Sequence, residues 1–402
     1  MLNLPKIRDL LDKRLPGHAM PQGLYTDPDV FEFDLAAIYG RSWIMAGFEI
    51  EVPQPGNYLS VLVGRSPIVI LRDRAGGLRG FHNSCRHRGA QICELGTGRS
   101  SRLTCPYHQW TYDLEGKLLF ARNMPEDFDR DAHGLLPIHV ETVAGSIYVC
   151  LAEEAPDFAP FREHFEPLLA PHDLNNAKLA FQGTLLERGN WKLVMENARE
   201  CYHCSAKHPE LWKSFRDVSQ IDYDSDEAAY LNDFRAKTGA LGLPIGPVEG
   251  DWWQAQRFPL NEGHTSLSMD GKPVVDKTLG HMGDGDVGSL RWAIEPHSFC
   301  HAVGDHLFMF SAMPTGPQET IVTSKWLVNK DAVEGVDYTI DRLTELWSRT
   351  NDQDRELVEN NQRGVNALGY RPGPYSPKME PWVQRFTDWY CTTARGFVDT
   401  NG

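Results

Sequence analysis

Two short Cys-His pairs stand seventeen residues apart in the stretch SCRHRGAQICELGTGRSSRLTCPYHQWTYD, residues 84–113. They offer two thiolates and two imidazoles, which is the ligand set of a [2Fe–2S] cluster in which histidines replace cysteines on one iron. The order Cys-His, then Cys-His, allows each of two loops to supply one ligand to each iron. The spacing therefore predicts such a cluster, with the ligands Cys85, His87, Cys105 and His108.

A mononuclear zinc site is the alternative, because two cysteines and two histidines also suit tetrahedral zinc. Zinc modules, however, more often pair Cys with Cys and His with His. The spacing closely resembles that of the Rieske proteins, which favours the iron–sulfur cluster over zinc.

The composition narrows the class of protein. A chain of 402 residues has room for two or three domains, and 41% hydrophobic with 24% charged residues is ordinary for a globular protein. The formal charge of −15 argues against a nucleic-acid surface, which needs clustered Lys and Arg. The apolar runs are too short to span a bilayer, and the N-terminus lacks the apolar stretch of a signal peptide. We expect a cytoplasmic protein that binds neither nucleic acid nor membrane.

The pattern of elements predicts an α+β protein. Residues 1–44 form an N-terminal helical segment, with a helix over 24–44, and we expect this segment to pack on the last domain. Short β-rich runs split by Gly, Pro and Asp predict a small β-domain over 45–155 that carries the cluster loops. Residues 156–402 read as a domain with a central antiparallel sheet flanked by helices, closed by a helix near 335–367.

Further features of this last domain follow from its composition. Three strands are predicted over 292–304, 305–316 and 319–329. The region 238–290 is rich in Gly, Pro and Asp, which predicts long surface loops and a lid.

A second metal site is suggested by a predicted helix over 192–208. Glu196, Glu200 and His203 fall at i, i+4 and i+7, one face of a helix. His203 and His208 are five residues apart, which on a regular helix turns them about 140° away from each other. Both imidazoles can reach one metal if the helix widens or ends between them. Two imidazoles and one carboxylate would form the facial triad that binds non-haem Fe(II).

The third ligand is not fixed by spacing. Two of fifteen histidines five apart are, taken alone, often surface residues, but the cluster motif upstream favours the metal site. Acidic residues of the C-terminal helix compete for the carboxylate position: Asp341, Glu345, Asp352, Asp354, Glu356 and Glu359.

Over essentially its full length, the chain resembles the oxygenase (alpha) subunit of Rieske non-haem iron oxygenases. NWKLVMENARECYHCSAKHP, residues 190–209, is similar to the metal-binding segment of that family, with His203 and His208 at the histidine positions. NDQDRELVENNQRG, residues 351–364, is similar to the C-terminal segment, which puts Asp354 at the carboxylate position.

This resemblance implies the cofactors and partners. The domain 156–402 would be the catalytic non-haem iron domain, holding mononuclear Fe(II), beside the Rieske [2Fe–2S] domain at 45–155. A flavin and iron–sulfur reductase would deliver electrons from NAD(P)H to the cluster, which passes them to Fe(II), and O₂ would be the co-substrate. Relatives form homotrimers, so a homotrimer is expected.

Glu200 suggests a subgroup. Many ring-hydroxylating members carry aspartate three residues before the first histidine ligand, where this chain has Glu200 in the string ECYHC. Glutamate there resembles the members that act on quaternary ammonium compounds: choline, carnitine, glycine betaine and proline betaine. The resemblance implies a monooxygenase that hydroxylates an N-methyl group of glycine betaine, or of a related betaine such as proline betaine, and releases formaldehyde. It also implies that Glu200 acts in catalysis by bridging His203 to a Rieske histidine of a neighbouring subunit.

A cationic substrate agrees with the aromatic residues between the two ligand segments, because quaternary ammonium has no N–H and is recognised by aromatic faces. The candidate cage residues are Trp253, Phe258, Phe299 and Phe308. A betaine carboxylate would need a hydrogen-bond donor, for which His301 and His306 are candidates. Aromatics on strands are, however, more often core residues.

Three other hypotheses stay open. An aromatic-ring hydroxylase or an O-demethylase of the same family would use the same metals, and a Rieske electron carrier would use the second domain only for docking.

Cys201 and Cys204 have the CxxC spacing of redox dithiols. Because they alternate with His203, we interpret them as packing residues near the metal.

Overall fold

The computed structural model describes residues 2–215, 226–283 and 285–402. The chain divides into two compact units, one formed by Met1–Ile38 with Phe158–Gly402 and the other by Tyr39–Asp157. Within the described ranges, no helix is long and apolar enough to cross a bilayer.

The smaller unit is built from ten short strands in three antiparallel sheets. Their orders are β4-β3-β2-β5, β6-β7-β8 and β1-β10-β9. The strands are β1 Ile44–Phe48, β2 Asn57–Val63, β3 Ser66–Arg72, β4 Leu78–His82, β5 Gly96–Arg99, β6 Leu103–Thr104, β7 Thr111–Tyr112, β8 Leu118–Phe120, β9 His139–Val143 and β10 Ser146–Cys150. The first Cys-His pair lies between β4 and β5, and the second lies between β6 and β7.

The larger unit has a seven-stranded antiparallel sheet in the order β11-β17-β16-β15-β14-β13-β12. Its strands are β11 Ala177–Glu187, β12 Val248–Gly250, β13 Trp253–Phe258, β14 Ser289–Ile294, β15 Ser298–Ala302, β16 His306–Gly316 and β17 Glu319–Asn329. This sheet and its helices agree with the predicted α+β fold with a central antiparallel sheet.

Helices surround this sheet. They are α1 Leu4–Asp12, α2 Gln22–Thr26, α3 Pro28–Phe33, α4 Ala159–Leu169, α5 Trp191–Asn197, α6 Cys204–Lys207, α7 Leu211–Ser214, α8 Asp226–Ala240, α9 Ile340–Val365 and α10 Pro381–Asn401. The Thr339 side chain caps α9 by accepting from Arg342 N at 3.4 Å, so the long C-terminal helix begins five residues later than predicted.

Several predicted elements differ from the structure. The single helix expected over 24–44 is a series of short helices, because Pro28 begins α3 and a π-helix follows at Asp34–Tyr39. The strand expected over 292–304 is a hairpin of β14 and β15, turned at Glu295–Pro296. The loops expected over 238–290 contain β12 and β13. They lengthen the sheet, because β13 pairs with β14 and β12 pairs with β13.

The register of the sheet determines which side chains share a face. Side chains directly opposite each other in an antiparallel pair point to the same face. Arg291 pairs with His301, and His301 pairs with Phe308. Phe258 pairs with Ser289, two residues from Arg291, so it shares that face as well. We call this the site face. Trp253, an odd number of residues from Phe258, points to the other face.

A buried carboxylate connects the N-terminal segment to the rest of the larger unit. Asp34 accepts hydrogen bonds from Trp191 Nε1 at 2.9 Å and from Tyr390 Oη at 2.8 Å, and it is also bonded to Lys192 Nζ. Asp34 and Lys192 are both fully buried. The network therefore fixes the first turn of α5, the helix that leads into the predicted ligand segment, against α10.

Replacing Asp34 with Ala should lower the free energy of unfolding of the larger unit by about 3–5 kcal/mol, because it leaves the Lys192 ammonium buried without its counter-charge. Denaturant unfolding of the metal-loaded protein measures this. Asp9→Ala is the matched control: its ion pair with Lys13 is exposed, so its loss should cost about 0.5 kcal/mol or less. Equal effects would contradict a structural role for Asp34.

Candidate metal centres and active site

The two predicted cluster loops have the same turn geometry. In the first, Gly89 N donates to Cys85 O at 2.8 Å, and in the second, Gln109 N donates to Cys105 O at 3.0 Å. Both turns close through a residue with positive φ, 74° at Gly89 and 62° at Gln109. Two equivalent turns therefore present two equivalent Cys-His pairs.

The four predicted ligands are arranged asymmetrically. Cys85 and Cys105 are buried, at 3% and 2% exposure, whereas His87 is exposed and His108 is half-buried. The two imidazole rings lie 4.7 Å apart between centroids. Tyr112 Oη lies 3.3 Å from Cys85 Sγ. Two sulfurs inside and two imidazoles outside fit a [2Fe–2S] cluster with its histidine-bound iron toward the surface.

The predicted ligand helix is interrupted before the first of the two histidines. Helix α5 ends at Asn197, and His203 and His208 are the residues that flank the short α6. The prediction of one regular helix over 192–208 is therefore wrong. Arg199, in the segment between the helices, is fully buried against the Glu295 carboxylate at 2.7 Å, and this tertiary contact takes the chain out of the helix.

Glu196 does not belong to the site, although the predicted helical face included it. Its carboxylate accepts from Tyr25 Oη at 2.8 Å and from Tyr375 Oη at 3.3 Å. Burial raises the pKa of Glu196 to about 7, against the hydrogen bonds from the two tyrosines.

Three acceptor atoms converge at one point of the larger unit. His203 Nε2 lies 3.0 Å from His208 Nε2 and 3.2 Å from Asp354 Oδ1, and His208 Nε2 lies 3.0 Å from the same oxygen. The competing acids Asp341, Glu345, Asp352, Glu356 and Glu359 have no such contact with the two imidazoles among the described interactions.

The hydrogen bonds on the far side of each ring set the tautomers. His203 Nδ1 lies 2.6 Å from Glu200 Oε1, and His208 Nδ1 lies 2.6 Å from Gln353 Oε1. Because both partners are oxygen acceptors, each Nδ1 carries the proton and each Nε2 presents a lone pair. Two lone pairs and a carboxylate oxygen facing one another are stable together only with a proton or a metal ion between them.

The spacing of these atoms fits a metal ion. Donor atoms on one face of an octahedral ion, with metal–ligand distances of about 2.1 Å, lie about 3.0 Å apart. Two imidazoles and one carboxylate on one face are the ligand set of non-haem Fe(II). Cys204 Sγ also lies within 4.8 Å of both imidazoles, but its disulfide bond leaves no thiolate to bind metal.

The electrostatics of the three residues favour positive charge at this point. Burial lowers the pKa of His203, but the hydrogen bonds with Asp354 and Glu200 outweigh burial and raise it to about 9. Burial raises the pKa of Asp354, yet the contacts with both histidines leave it below its ordinary value.

Cys201 and Cys204, which we interpreted as packing residues near the metal, lie beside the two imidazoles and in addition form a disulfide. Cys204 N donates to Cys201 O at 3.2 Å in a tight turn, and the Cα atoms are 4.9 Å apart, within the range of disulfides. The bond closes the turn that contains His203.

A cavity opens beside the three acceptor atoms. Among the candidate substrate residues, Phe258, Phe299 and His301 line it. Trp253, Phe308 and His306 are absent from the lining, so their predicted contact with the cavity is wrong.

Each of the three residues has a separate reason to lie elsewhere. Trp253 is on the face opposite to the site face and packs on Phe161 at 5.2 Å. Phe308 is on the site face but is covered by Trp347, whose ring stacks on it at 4.3 Å. His306 is at the beginning of β16, with Nδ1 3.2 Å from the Asp305 carboxylate.

The lining also includes residues that the sequence reasoning missed. They are Phe215, Arg291, Trp347 and Trp382. Trp347 could have been found, because Trp347, Thr350 and Asp354 have the i, i+3, i+7 spacing of one helix face. The other three depend on sheet register or on distant segments, and no local pattern indicates them.

Comparison with known proteins identifies the class. A family described as "Ring hydroxylating alpha subunit (catalytic domain)" matches residues 177–395, and "Rieske [2Fe-2S] domain" matches residues 42–137. The chain belongs to this family: it is a Rieske non-haem iron oxygenase that uses a [2Fe–2S] cluster, mononuclear iron and O₂. These matches argue against the alternatives of a zinc module and of an electron carrier.

The similar proteins include enzymes of quaternary amines. The chain is 44% identical to the glycine betaine monooxygenase oxygenase subunit of Pseudomonas aeruginosa, over 95% of this chain and 90% of that protein. It is 42% identical to the protein of the same name from Chromohalobacter salexigens, over 97% and 89%.

Solved structures confirm the fold. A quaternary ammonium Rieske monooxygenase in complex with L-carnitine has a TM-score of 0.71 at 23% identity, covering 96% of this chain and 97% of that one. Naphthalene 1,2-dioxygenase from Rhodococcus sp. has a TM-score of 0.69 at 17% identity, covering 98% and 99%. Since both classes share the fold, the fold alone does not select the substrate.

Proposed function

We propose that this chain is the oxygenase component of an enzyme that hydroxylates an N-methyl group of glycine betaine, or of a related betaine such as proline betaine. The observation that carries the proposal is the cavity beside His203, His208 and Asp354, whose wall includes the aromatic rings of Phe215, Phe258, Phe299, Trp347 and Trp382. The 44% identity to a glycine betaine monooxygenase oxygenase subunit supports the same substrate.

We assign the metals to the residues whose chemistry fits them. His203, His208 and Asp354 hold the mononuclear Fe(II), and Cys85, His87, Cys105 and His108 hold the cluster. When bound, the cluster supplies an electron and the iron activates O₂ for insertion into a C–H bond.

The overall reaction balances as a demethylation. Glycine betaine, O₂, NAD(P)H and one proton give dimethylglycine, formaldehyde, water and NAD(P)⁺. Hydroxylation converts one N–CH₃ to N–CH₂OH, and this hemiaminal loses its hydroxyl proton as the C–N bond breaks. The electron pair of that bond stays on nitrogen, which becomes a tertiary amine.

The cavity wall supplies the recognition of the ammonium group. Phe258, Phe299 and Trp347 are each at most 9% exposed, so their ring faces are shielded from water. A trimethylammonium group cannot donate hydrogen bonds and is attracted by the negative faces of such rings. The carboxylates of Glu200 and Asp354, which also line the cavity, add negative potential on the metal side.

Glu200 positions His203 and is available to connect the two metals. One carboxylate oxygen holds His203 Nδ1, and the other accepts from Tyr202 N. We propose that Glu200 also bridges to His87 or His108 of a neighbouring subunit in a homotrimer. Such a carboxylate orients both imidazoles and gives electrons a short path between sites on different chains.

We further propose a flavin and iron–sulfur reductase as the electron donor, acting in the cytoplasm where NAD(P)H is regenerated. A panel of substrates would separate this proposal from ring hydroxylation and O-demethylation by enzymes of the same family.

The metal assignment and the reaction are tested together by Asp354→Ala. The wild-type enzyme with a reductase should release formaldehyde from glycine betaine and contain about three irons per chain. Asp354→Ala should release none and lose one iron, with the visible absorbance of the cluster unchanged, because the two ligand sets are separate. Asp352→Ala is the control, since that side chain is 59% exposed and paired with Arg355. Full iron in Asp354→Ala would contradict the assignment.

The aromatic wall is tested with Phe258→Leu, Phe299→Leu and Trp347→Leu. Each should weaken glycine betaine binding by about 0.5–2 kcal/mol, several-fold to roughly thirtyfold, through lost cation–π attraction. Binding of 3,3-dimethylbutanoate, in which carbon replaces the charged nitrogen, should change less. Trp253→Leu, on the opposite face of the sheet, is the control. If both ligands weaken equally at all three positions, the rings serve only to fill space.

The bridge is tested with Glu200→Gln. The variant should keep both metals and bind glycine betaine, but reoxidation of the reduced cluster on mixing with substrate and O₂ should be severely slowed. Glu200→Asp keeps the charge on a shorter arm and should recover part of the rate. Reoxidation at the wild-type rate in Glu200→Gln, or a fully active monomer, would remove the bridge.

A further inference from the structure

A disulfide lies at the edge of the mononuclear metal site. Cys201 and Cys204 are bonded to each other, and both line the cavity. Cys204 follows His203 directly and lies four residues before His208, so the short α6 puts it next to both imidazoles. Cys204 Sγ and the ligand atoms of the two histidines lie within 4.8 Å of one another. The function proposed above uses neither sulfur.

Backbone hydrogen bonds hold Cys204 in place independently of the disulfide. Cys204 N donates to Cys201 O at 3.2 Å, and His208 N donates to Cys204 O at 2.9 Å. Cys204 is also buried, at 3% exposure. Reduction of the disulfide would therefore leave Cys204 beside the two imidazoles, while its side chain would become free to rotate about the Cα–Cβ bond.

A free Cys204 thiolate would complete a different kind of metal site. In tetrahedral zinc sites, with Zn–S of about 2.3 Å and Zn–N of about 2.0–2.1 Å, sulfur lies about 3.5 Å from each imidazole nitrogen. The separation in the structure is at most 4.8 Å, and a change of rotamer moves Sγ by about 3 Å. Two imidazoles, the Asp354 carboxylate and this thiolate would then make four ligands, the number that closes a zinc site.

The disulfide prevents this fourth ligand from forming. The thiolate is the form of cysteine that binds metal, and a sulfur bonded to sulfur carries no such charge. With the disulfide intact, His203, His208 and Asp354 are the protein ligands, and other coordination positions stay open, as non-haem iron oxygenases need. With the disulfide reduced, Cys204 would fill an open position, and a soft thiolate would favour zinc over Fe(II).

We propose that Cys201 and Cys204 form a redox switch that selects the metal at this site. The disulfide keeps an open iron site, and the reduced pair converts it into a closed zinc site. The reductant is a dithiol, which transfers two electrons and two protons to the Cys201–Cys204 bond and forms its own disulfide. Zn²⁺ then displaces Fe²⁺, and the Cys204 thiol releases one proton as it binds. The inference rests on the proposed function, because it concerns the same metal site.

The test uses the full chain with its cluster in place and the mononuclear metal removed. The protein is reduced with dithiothreitol, freed of that reagent by anaerobic gel filtration, and offered Co²⁺, which reports the coordination of a zinc site. A thiolate bound to Co²⁺ gives a sulfur-to-metal charge-transfer band, and a tetrahedral site absorbs visible light more strongly than an octahedral one. Difference spectra against the cobalt-free protein remove the absorbance of the cluster.

Two matched variants separate the thiolate from the loss of the cross-link. Cys201→Ser leaves Cys204 beside the imidazoles. Cys204→Ser leaves Cys201, which is outside the group of potential ligands around the two histidines among the described residues. Both variants lose the disulfide, so a difference between them reports the position of the remaining thiol.

Oxidised wild-type enzyme and Cys204→Ser should bind Co²⁺ without the charge-transfer band. Reduced wild-type enzyme and Cys201→Ser should show the band, and their affinity for zinc relative to Fe(II) should rise by roughly tenfold or more. Reoxidation of the reduced wild-type enzyme with oxidised glutathione should reverse both changes.

Three results would overturn the switch and leave the proposed function intact. They are a disulfide that persists after treatment with the dithiol, absence of the band in reduced wild-type enzyme or in Cys201→Ser with cobalt bound, and equal bands in the two variants. Failure of the oxidised enzyme to bind any divalent metal would overturn the assignment of His203, His208 and Asp354 as well.

Discussion

Three electron-pair acceptors held about 3 Å apart are the constraint on which the catalytic unit depends. His203 Nε2, His208 Nε2 and Asp354 Oδ1 repel one another unless a proton or a metal ion lies between them. The three atoms stay close together because other contacts hold each residue in place. Glu200 and Gln353 bind the Nδ1 atoms of the two imidazoles, and a helix of 26 residues carries the carboxylate. The surrounding hydrogen bonds therefore prepare the site for a metal before one arrives, and they choose the nitrogen that each histidine presents.

The cavity combines this centre with a wall that includes five aromatic rings, those of Phe215, Phe258, Phe299, Trp347 and Trp382. The carboxylates of Glu200 and Asp354 lie on the metal side of the same cavity, and aromatic ring faces attract an ammonium group. The same arrangement explains why fold similarity alone does not identify the substrate: naphthalene dioxygenase shares the architecture at a TM-score of 0.69, and the difference must lie in the few side chains of the wall.

The residues that the structure brings together at the two candidate metal sites were predictable from the sequence, and most of the cavity wall was not. Metal ligands have obligatory chemistry and narrow spacing, so the Cys-His pairs and the two histidines stand out, and family resemblance selected Asp354 among six acids. The aromatic residues of the cavity wall depend instead on strand register. Trp253 is an odd number of residues from Phe258 on the same strand, so its side chain points to the face opposite the site face. The break after α5 depends on the ion pair between Arg199 and Glu295, residues 96 positions apart. Tertiary contacts of that kind leave no local pattern.

Helix α9 carries both a residue of the cavity wall, Trp347, and the proposed metal ligand Asp354. Trp347 and Asp354 are two turns apart on one face, and a helical rise of 1.5 Å per residue separates them by about 10 Å along the axis. Because Trp347 is also stacked on Phe308 of the sheet, Trp347 and Asp354 cannot shift independently of each other. The part of α9 between Trp347 and Asp354 therefore sets the depth of the cavity on this side. Enzymes of this architecture that accept longer or shorter amines would have to gain or lose space on the opposite side of the cavity, at strand residues such as Phe258 and Phe299, which do not contact Asp354 in α9.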